Sequence, residues 1–215
     1  MILRQFGVGT AEPAPADQRP MHDQTRCVLA QFERQLPRVD TERTWKLQVD
    51  CVLAVTDDRL LNLLGVLTLQ VSCDVPGFFA LSPPQKKVRT LELLERGLAR
   101  AIPDQGWNRQ PFARAAAAVR ASGYRNRWEF CPKWSPGRRF RAFISCSHEP
   151  DSFSAALHIQ DRSGELVLER ELFVTFPSEF VFVPQLGRVR WCTPREVLVT
   201  NRAQEEICHV SLNGA

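Results

Sequence analysis

The chain is predicted to be an α+β protein built on an antiparallel meander with a few packed helices. Three observations lead there. The hydrophobic period switches between about 3.6 and 2 along the chain. Two helical patterns stand next to each other in the middle, and from residue 124 onward short alternating stretches follow one another, separated by turn residues. With 215 residues, 44% hydrophobic and 24% charged, the composition is that of a globular protein and excludes a disordered or fibrous chain.

Residues 9–20 hold three prolines and no large apolar side chain, so residues 1–21 are expected to form a flexible tail and residues 22–215 a single α+β domain. Val28, Leu29, Phe32 and Leu36 then recur at helical spacing over residues 22–36, and Pro37 ends that helix. Over residues 45–55 the period becomes 2, with Trp45, Leu47, Val49, Cys51, Leu53 and Val55 alternating with Lys46, Gln48 and Asp50. A turn at residues 56–59 and a second apolar strand over 61–71 predict a hairpin.

Ser82-Pro83-Pro84-Gln85 opens the next helix, with serine at the cap, proline at the first position and glutamine three residues on. Its stripe is Val88, Leu91, Leu94 and Leu98, and Ile102-Pro103 is the expected stop. Another helix is expected over 111–121, closed by Gly123. The predicted strands after it cover 138–146, 153–160, 165–174, 179–183, 189–191, 197–200 and 206–212. Their separators, Asp161-Arg-Ser-Gly164 among them, have turn chemistry. No repeat of fixed period is present, which argues against a propeller or solenoid.

The net charge of +4 arises from 28 basic and 24 acidic residues spread along the chain, which permits contact with nucleic acid or a membrane surface without requiring it. The seven cysteines are odd in number and no two lie closer than 15 positions, so neither a zinc ribbon nor a C-x-x-C redox motif can be drawn. Buried free thiols and a cytoplasmic location are expected. No secretory signal is legible in residues 1–20, and no stretch reaches the roughly 18 apolar residues that span a bilayer.

No reaction motif stands out, so neither a catalytic residue nor a cofactor is expected. Gly7-Val8-Gly9 lacks the third glycine and lysine of a phosphate loop. Ser145-Cys146-Ser147-His148-Glu149-Pro150-Asp151 gathers a thiol, an imidazole and two carboxylates. Such groups can activate a nucleophile or hold a metal. The plainer account is a strand end followed by an Asx-type turn, with Cys146 and His148 on the same side of the strand.

The most unusual stretch covers residues 120–141. It carries Arg120, Arg125, Arg127, Lys133, Arg138, Arg139 and Arg141 against one acid, Glu129, interleaved with Tyr124, Trp128, Phe130, Trp134 and Phe140. Arginine among aromatic rings is the composition of single-strand nucleic-acid grooves and of protein hot spots alike. It also suits a plain strand-turn-strand with Trp128 in the core. Pairing residues 124–131 with 138–146 across Trp134-Ser-Pro-Gly137 puts Arg125 and Arg127 on the face opposite Trp128 and leaves Trp134 at the tip. The predicted partner-binding residues are Arg125, Arg127, Trp128, Trp134, Arg138 and Arg139.

The order of features also carries a resemblance. The Trp45 strand, the helix Lys86-Lys87-Val-Arg-Thr-Leu-Glu-Leu-Leu94, Gly106-Trp107-Asn108, Ser135-Pro136-Gly137-Arg138-Arg139 and Leu186-Gly187-Arg-Val-Arg-Trp191 follow one another over residues 40–212. This resembles the small cytosolic immunity proteins that bacteria encode beside polymorphic toxins of contact-dependent or secretion-delivered systems. The resemblance implies a non-enzymatic protein that binds a cognate toxin domain and occludes its active site. The pI of about 8.8 departs from immunity proteins against nucleases, which are usually acidic. The alternative is a nucleic-acid-binding module using residues 120–141.

Overall fold

Alternation at period 2 is the rule that builds the first half of the molecule. The computed structural model describes residues 1–212, and its chain divides into two compact units, residues 1–126 with 149–151, and residues 127–148 with 152 onward. In the first unit, β1 (Ile2–Leu3) pairs antiparallel with β3 (Val39–Asp40). A second sheet contains β2 (Gln5–Gly9), β4 (Lys46–Val52), β5 (Leu61–Leu63) and β6 (Val66–Ser72) in the order β2-β4-β6-β5. Strands β2, β4 and β6 are parallel, and β5 is the antiparallel edge. Leu47, Val49 and Cys51 of β4 and Leu67, Leu69 and Val71 of β6 are buried, while the residues between them are half-exposed.

Four helices complete this unit: α1 (Met21–Gln35), α2 (Val75–Ala80), α3 (Pro83–Gln105) and α4 (Arg109–Ala121). Their buried residues share one hydrophobic core with the sheet. Helix α3 opens with the predicted capping box between Ser82 and Gln85. It continues past Pro103, whose ring removes only one N–H near the end of a 23-residue helix, and closes on Gly106 in the left-handed region at φ 65°. A Cβ on Gly97 would lie 2.4 Å from Val49, so this helix approaches the sheet to a distance that only glycine permits.

Two expectations for this half are corrected. Residues 2–9 are not a tail: Leu3, Phe6 and Val8 are buried, and the Phe6 ring lies edge-on 5.1 Å from Phe32. The proline-rich composition describes residues 10–20 and hid the short strands before them. The strands over 45–55 and 61–71 do not form a hairpin. The true reversal lies inside the second stretch, at Leu64-Gly65, where both φ values are positive (51° and 84°) as a two-residue hairpin turn demands. Trp45 locks that turn by donating its Nε1–H to Leu64 O at 3.0 Å, and a Cβ on Gly65 would sit 2.5 Å from its ring.

The second unit is the predicted meander. Strands β7 (Arg127–Trp134), β8 (Phe140–His148), β9 (Phe153–Asp161) and β10 (Leu166–Thr175) are antiparallel neighbours in sequence order. After α5 (Glu179–Phe182), strands β11 (Arg188–Thr193), β12 (Glu196–Thr200) and β13 (Glu206–Ser211) form a second meander. Ile144, Leu157 and Ile159 of the first sheet and Val189, Val197 and Val199 of the second share one core. The architecture is therefore α+β, with antiparallel meanders and one mixed sheet.

Residues 179–183, expected as a strand, are helical. Phe182 N donates to Ser178 O at 3.1 Å, and Pro184 denies a strand its next donor. The helical turn stacks Phe182 on Phe153 at 3.8 Å and leaves Phe180 almost fully exposed, which an alternating strand would not do.

Replacing Phe6 with alanine is expected to cost about 3 to 5 kcal/mol, the range for a large aromatic side chain removed from a packed core. Urea unfolding reads the change. A flexible segment at this position would leave the transition midpoint where it was.

Candidate binding site

The arginine and aromatic segment becomes β7, the turn after it and the start of β8. Its register is regular from Arg127↔Ser147 to Phe130↔Ile144 and breaks before Lys133↔Ala142. Pro132 cannot donate to the ladder and Cys131 adopts φ 53°, so the strand bulges here. The bulge hands the outer half of β7 to β11. Val189 N donates to Cys131 Sγ at 3.5 Å, and Trp191 Nε1 donates to Lys133 O at 3.1 Å.

The tip is held from inside. Ser135 is buried, with its N–H donating to Phe140 O at 2.8 Å and its hydroxyl accepting from Phe140 N at 3.0 Å. Gly137 and Arg138 both have positive φ, 77° and 54°, a costly setting for arginine. Arg162 braces them, donating from Nε to Arg138 O at 2.9 Å and from its terminal nitrogen to Gly137 O at 3.1 Å. On this frame the Trp134 ring is 43% exposed, with the Arg138 guanidinium 5.6 Å from its centre. Lys133, Trp134, Arg138, Arg190 and Trp191 line an open groove of about 640 Å³. Trp191 stacks on Phe140 at 6.3 Å, and Arg139 lies over Phe140 at 5.3 Å.

The six predicted binding residues do not converge. Trp134 and Arg138 line the groove, and Arg139 caps the ring beside it. Trp128 turns inward, half-buried and 5.8 Å from Phe153. Arg127 lies on the outer face of the four-stranded sheet, in a shallow depression with Ser145, His158 and Glu169. Arg125 is exposed in the first unit, where its carbonyl accepts from Gln31 at 3.0 Å. Arg190 and Trp191 were missed as site residues. Alternation in Arg188-Val-Arg-Trp191 shows a strand with arginines on one face, but the neighbour of that strand is a matter of tertiary packing.

Cys146 and His148 do occupy the same, buried side of β8. The His148 ring packs edge-on against Phe153 and Phe182, and its Nε2 meets Pro177 O at 2.9 Å. Both are core groups. Among the described residues no cluster of three or more histidines, cysteines or acids is placed to hold a metal ion, and no helix is long and apolar enough to cross a membrane. None of the seven cysteines is disulfide-bonded; Cys27, Cys51, Cys146 and Cys208 are buried, Cys73 and Cys131 are half-buried and Cys192 is exposed.

Compared with family models, curated proteins and solved structures, the chain matches none.

Burial pushes the Cys27 thiol up to about 12, and Cys146 has no exposed surface. Native-state alkylation followed by peptide mass mapping is expected to label Cys192 and leave Cys27 and Cys146 unmodified until denaturant is added. Native labelling of Cys146 would return it to consideration as a nucleophile.

Proposed function

We propose that the chain is a non-enzymatic, cytosolic binding protein that neutralises a cognate bacterial toxin domain by covering its active site, with the β7–β8 tip as the anchor. The observation that carries this reading is the Trp134 ring, 43% exposed on a turn that backbone hydrogen bonds and Arg162 hold in place. A large ring held outside any core on a preformed frame loses little entropy on binding, which is the economy of a protein hot spot. Arg138 and Arg190 beside it favour an acidic partner surface. The resemblance to immunity proteins supplies the class of partner.

The rings also bear on the nucleic-acid alternative. Base stacking needs open ring faces. Here the Arg138 guanidinium lies over Trp134 and that of Arg139 over Phe140, on which Trp191 also stacks. Rings that already carry a guanidinium group favour a partner that meets ring and charge together, as an acidic protein surface does.

Co-expression with the product of the adjacent gene tests the class: that product is expected to be toxic alone, harmless with this chain, and to co-purify with it. A harmless neighbour that does not bind defeats the proposal. Trp134→Ala and Arg138→Ala are each expected to cost on the order of 2 kcal/mol of partner affinity by calorimetry, with thermal stability nearly unchanged. Arg127→Ala, away from the groove, should bind like the parent. Binding to single-stranded RNA or DNA that falls by roughly 0.7 to 0.9 log units per log unit of salt for each phosphate contact would favour the alternative instead.

A further inference from the structure

At the carboxyl ends of β4 and β6 the first unit holds a cavity of about 420 Å³, lined by Ser72, Cys73, Asp74, Phe78, Arg89 and Arg96 among others. The carboxyl ends of parallel strands are where sheets with helical crossovers place their ligands, because the strand-to-helix connections gather there. Cys73, half-buried in this cavity, lies one residue beyond β6, and its N–H donates to Val52 O at 2.7 Å. Behind it stands Cys51 of β4, with no exposed surface. Parallel pairing makes Val52 and Ser72 partners, so Cys51 precedes and Cys73 follows the same rung. Cys51 pairs with Val71, so Cys73, two residues beyond Val71, is its diagonal neighbour on the same face of the sheet. The two residues lie 22 positions apart in sequence, and only the β4–β6 register brings them together.

We propose that Cys73 and Cys51 form a peroxide-responsive thiol pair, with Cys73 as the attacking sulfur at the cavity and Cys51 as the buried resolving sulfur. The Cys73 thiolate attacks one oxygen of hydrogen peroxide. The S–O bond forms as the O–O bond breaks, and the departing hydroxide takes a proton to become water. Cys73 is then a sulfenic acid. The Cys51 sulfur attacks it, the S–S bond forms, the S–O bond breaks, and hydroxide leaves with the Cys51 proton as a second water. The two sulfurs together lose two electrons and the peroxide oxygens gain them, so two thiols and one peroxide give one disulfide and two waters.

The surroundings assign the order of events. Cys51 has no path to solvent, so an oxidant meets Cys73 first. The neighbouring Cys51 thiol draws the Cys73 thiol down to about 7 against the opposing effect of burial; Arg89 and Arg96 add to this and Asp74 opposes it. Cys51 is pushed upward, first by the neighbouring Cys73 and then by burial, with Asp50 adding to both. It therefore keeps its proton until it attacks. Arg96 is fixed in place by donating to Ser72 O at 2.8 Å and Ser72 Oγ at 3.0 Å. Arg89 reaches the cavity from α3 and pairs with Glu92 at 3.2 Å. In a reducing compartment such a pair cycles and is reset by cellular thiols. This inference is independent of the hairpin tip, and either proposal can fail alone.

The experiment treats the full chain with hydrogen peroxide and maps its peptides without reduction. The expected product is a Cys51–Cys73 linkage with the mass of two hydrogens lost, reversed by dithiothreitol. In Cys51→Ala the oxidation should stop at a Cys73 sulfenic acid that dimedone captures. Iodoacetamide labelling of the reduced parent across pH should give a Cys73 midpoint near 7, moving upward in Arg89→Gln. At neutral pH it should react roughly tenfold faster than a cysteine in an unstructured peptide. The parent alone decides: a linkage between other cysteines, or Cys192 oxidised while Cys73 stays reduced, overturns the proposal. So does Cys73 oxidised with no linkage to Cys51.

Discussion

Each long strand of the first unit buries one face and leaves the other to solvent, and most of that unit follows from this constraint. Leu47, Val49 and Cys51 lie beside Leu67, Leu69 and Val71, and on the opposite face stand Lys46, Gln48, Asp50, Thr68 and Gln70. Parallel sheets usually carry helices on both faces. Here the apolar side chains admit them on one, so α1, α3 and α4 share a single core with the sheet. That crowding explains Gly97, where α3 meets Val49, and it explains why residues 2–9 cannot be free: without Phe6 and Val8, that core would open at its β2 edge.

The second unit solves a different problem, closing seven antiparallel strands around one core while keeping a rigid projection. Pro132 and Cys131 interrupt the β7 ladder, and the interruption frees groups that β11 takes up through Val189 and Trp191. The tip then draws its rigidity from its own backbone and from Arg162, at the cost of a left-handed arginine. Strain held by surrounding contacts in this way is common where a protein presents a surface to a partner. The groove beside Trp134 exists because two strands distant in sequence lie against each other at the bulge.

The two sites illustrate two kinds of preorganisation. At the tip, hydrogen bonds hold the exposed Trp134 ring and the Arg138 guanidinium in one arrangement. At the carboxyl end of β6, strand register makes Cys51 and Cys73 diagonal neighbours, with two arginines lining the cavity beside the outer one. Neither depends on a motif of closely spaced residues.

Periodicity, caps and turn residues are local, and they determined the elements: the stripe of α1, the capping box of α3, the alternation of β4, and the β7–β8 hairpin with Trp134 outside and Trp128 inside. Where a local signal had two readings, packing chose. The stretch 61–71 alternates as one strand would, yet Trp45 stabilises a reversal inside it and makes β4 and β6 parallel. The stretch 179–183 has strand composition, yet the Phe153 ring selects the turn that buries Phe182. Arg190 and Trp191 beside Trp134, and Cys51 beside Cys73, are long-range neighbours. Their proximity comes from strand order and register, which depend on the sum of many contacts and leave no mark at any one position of the chain.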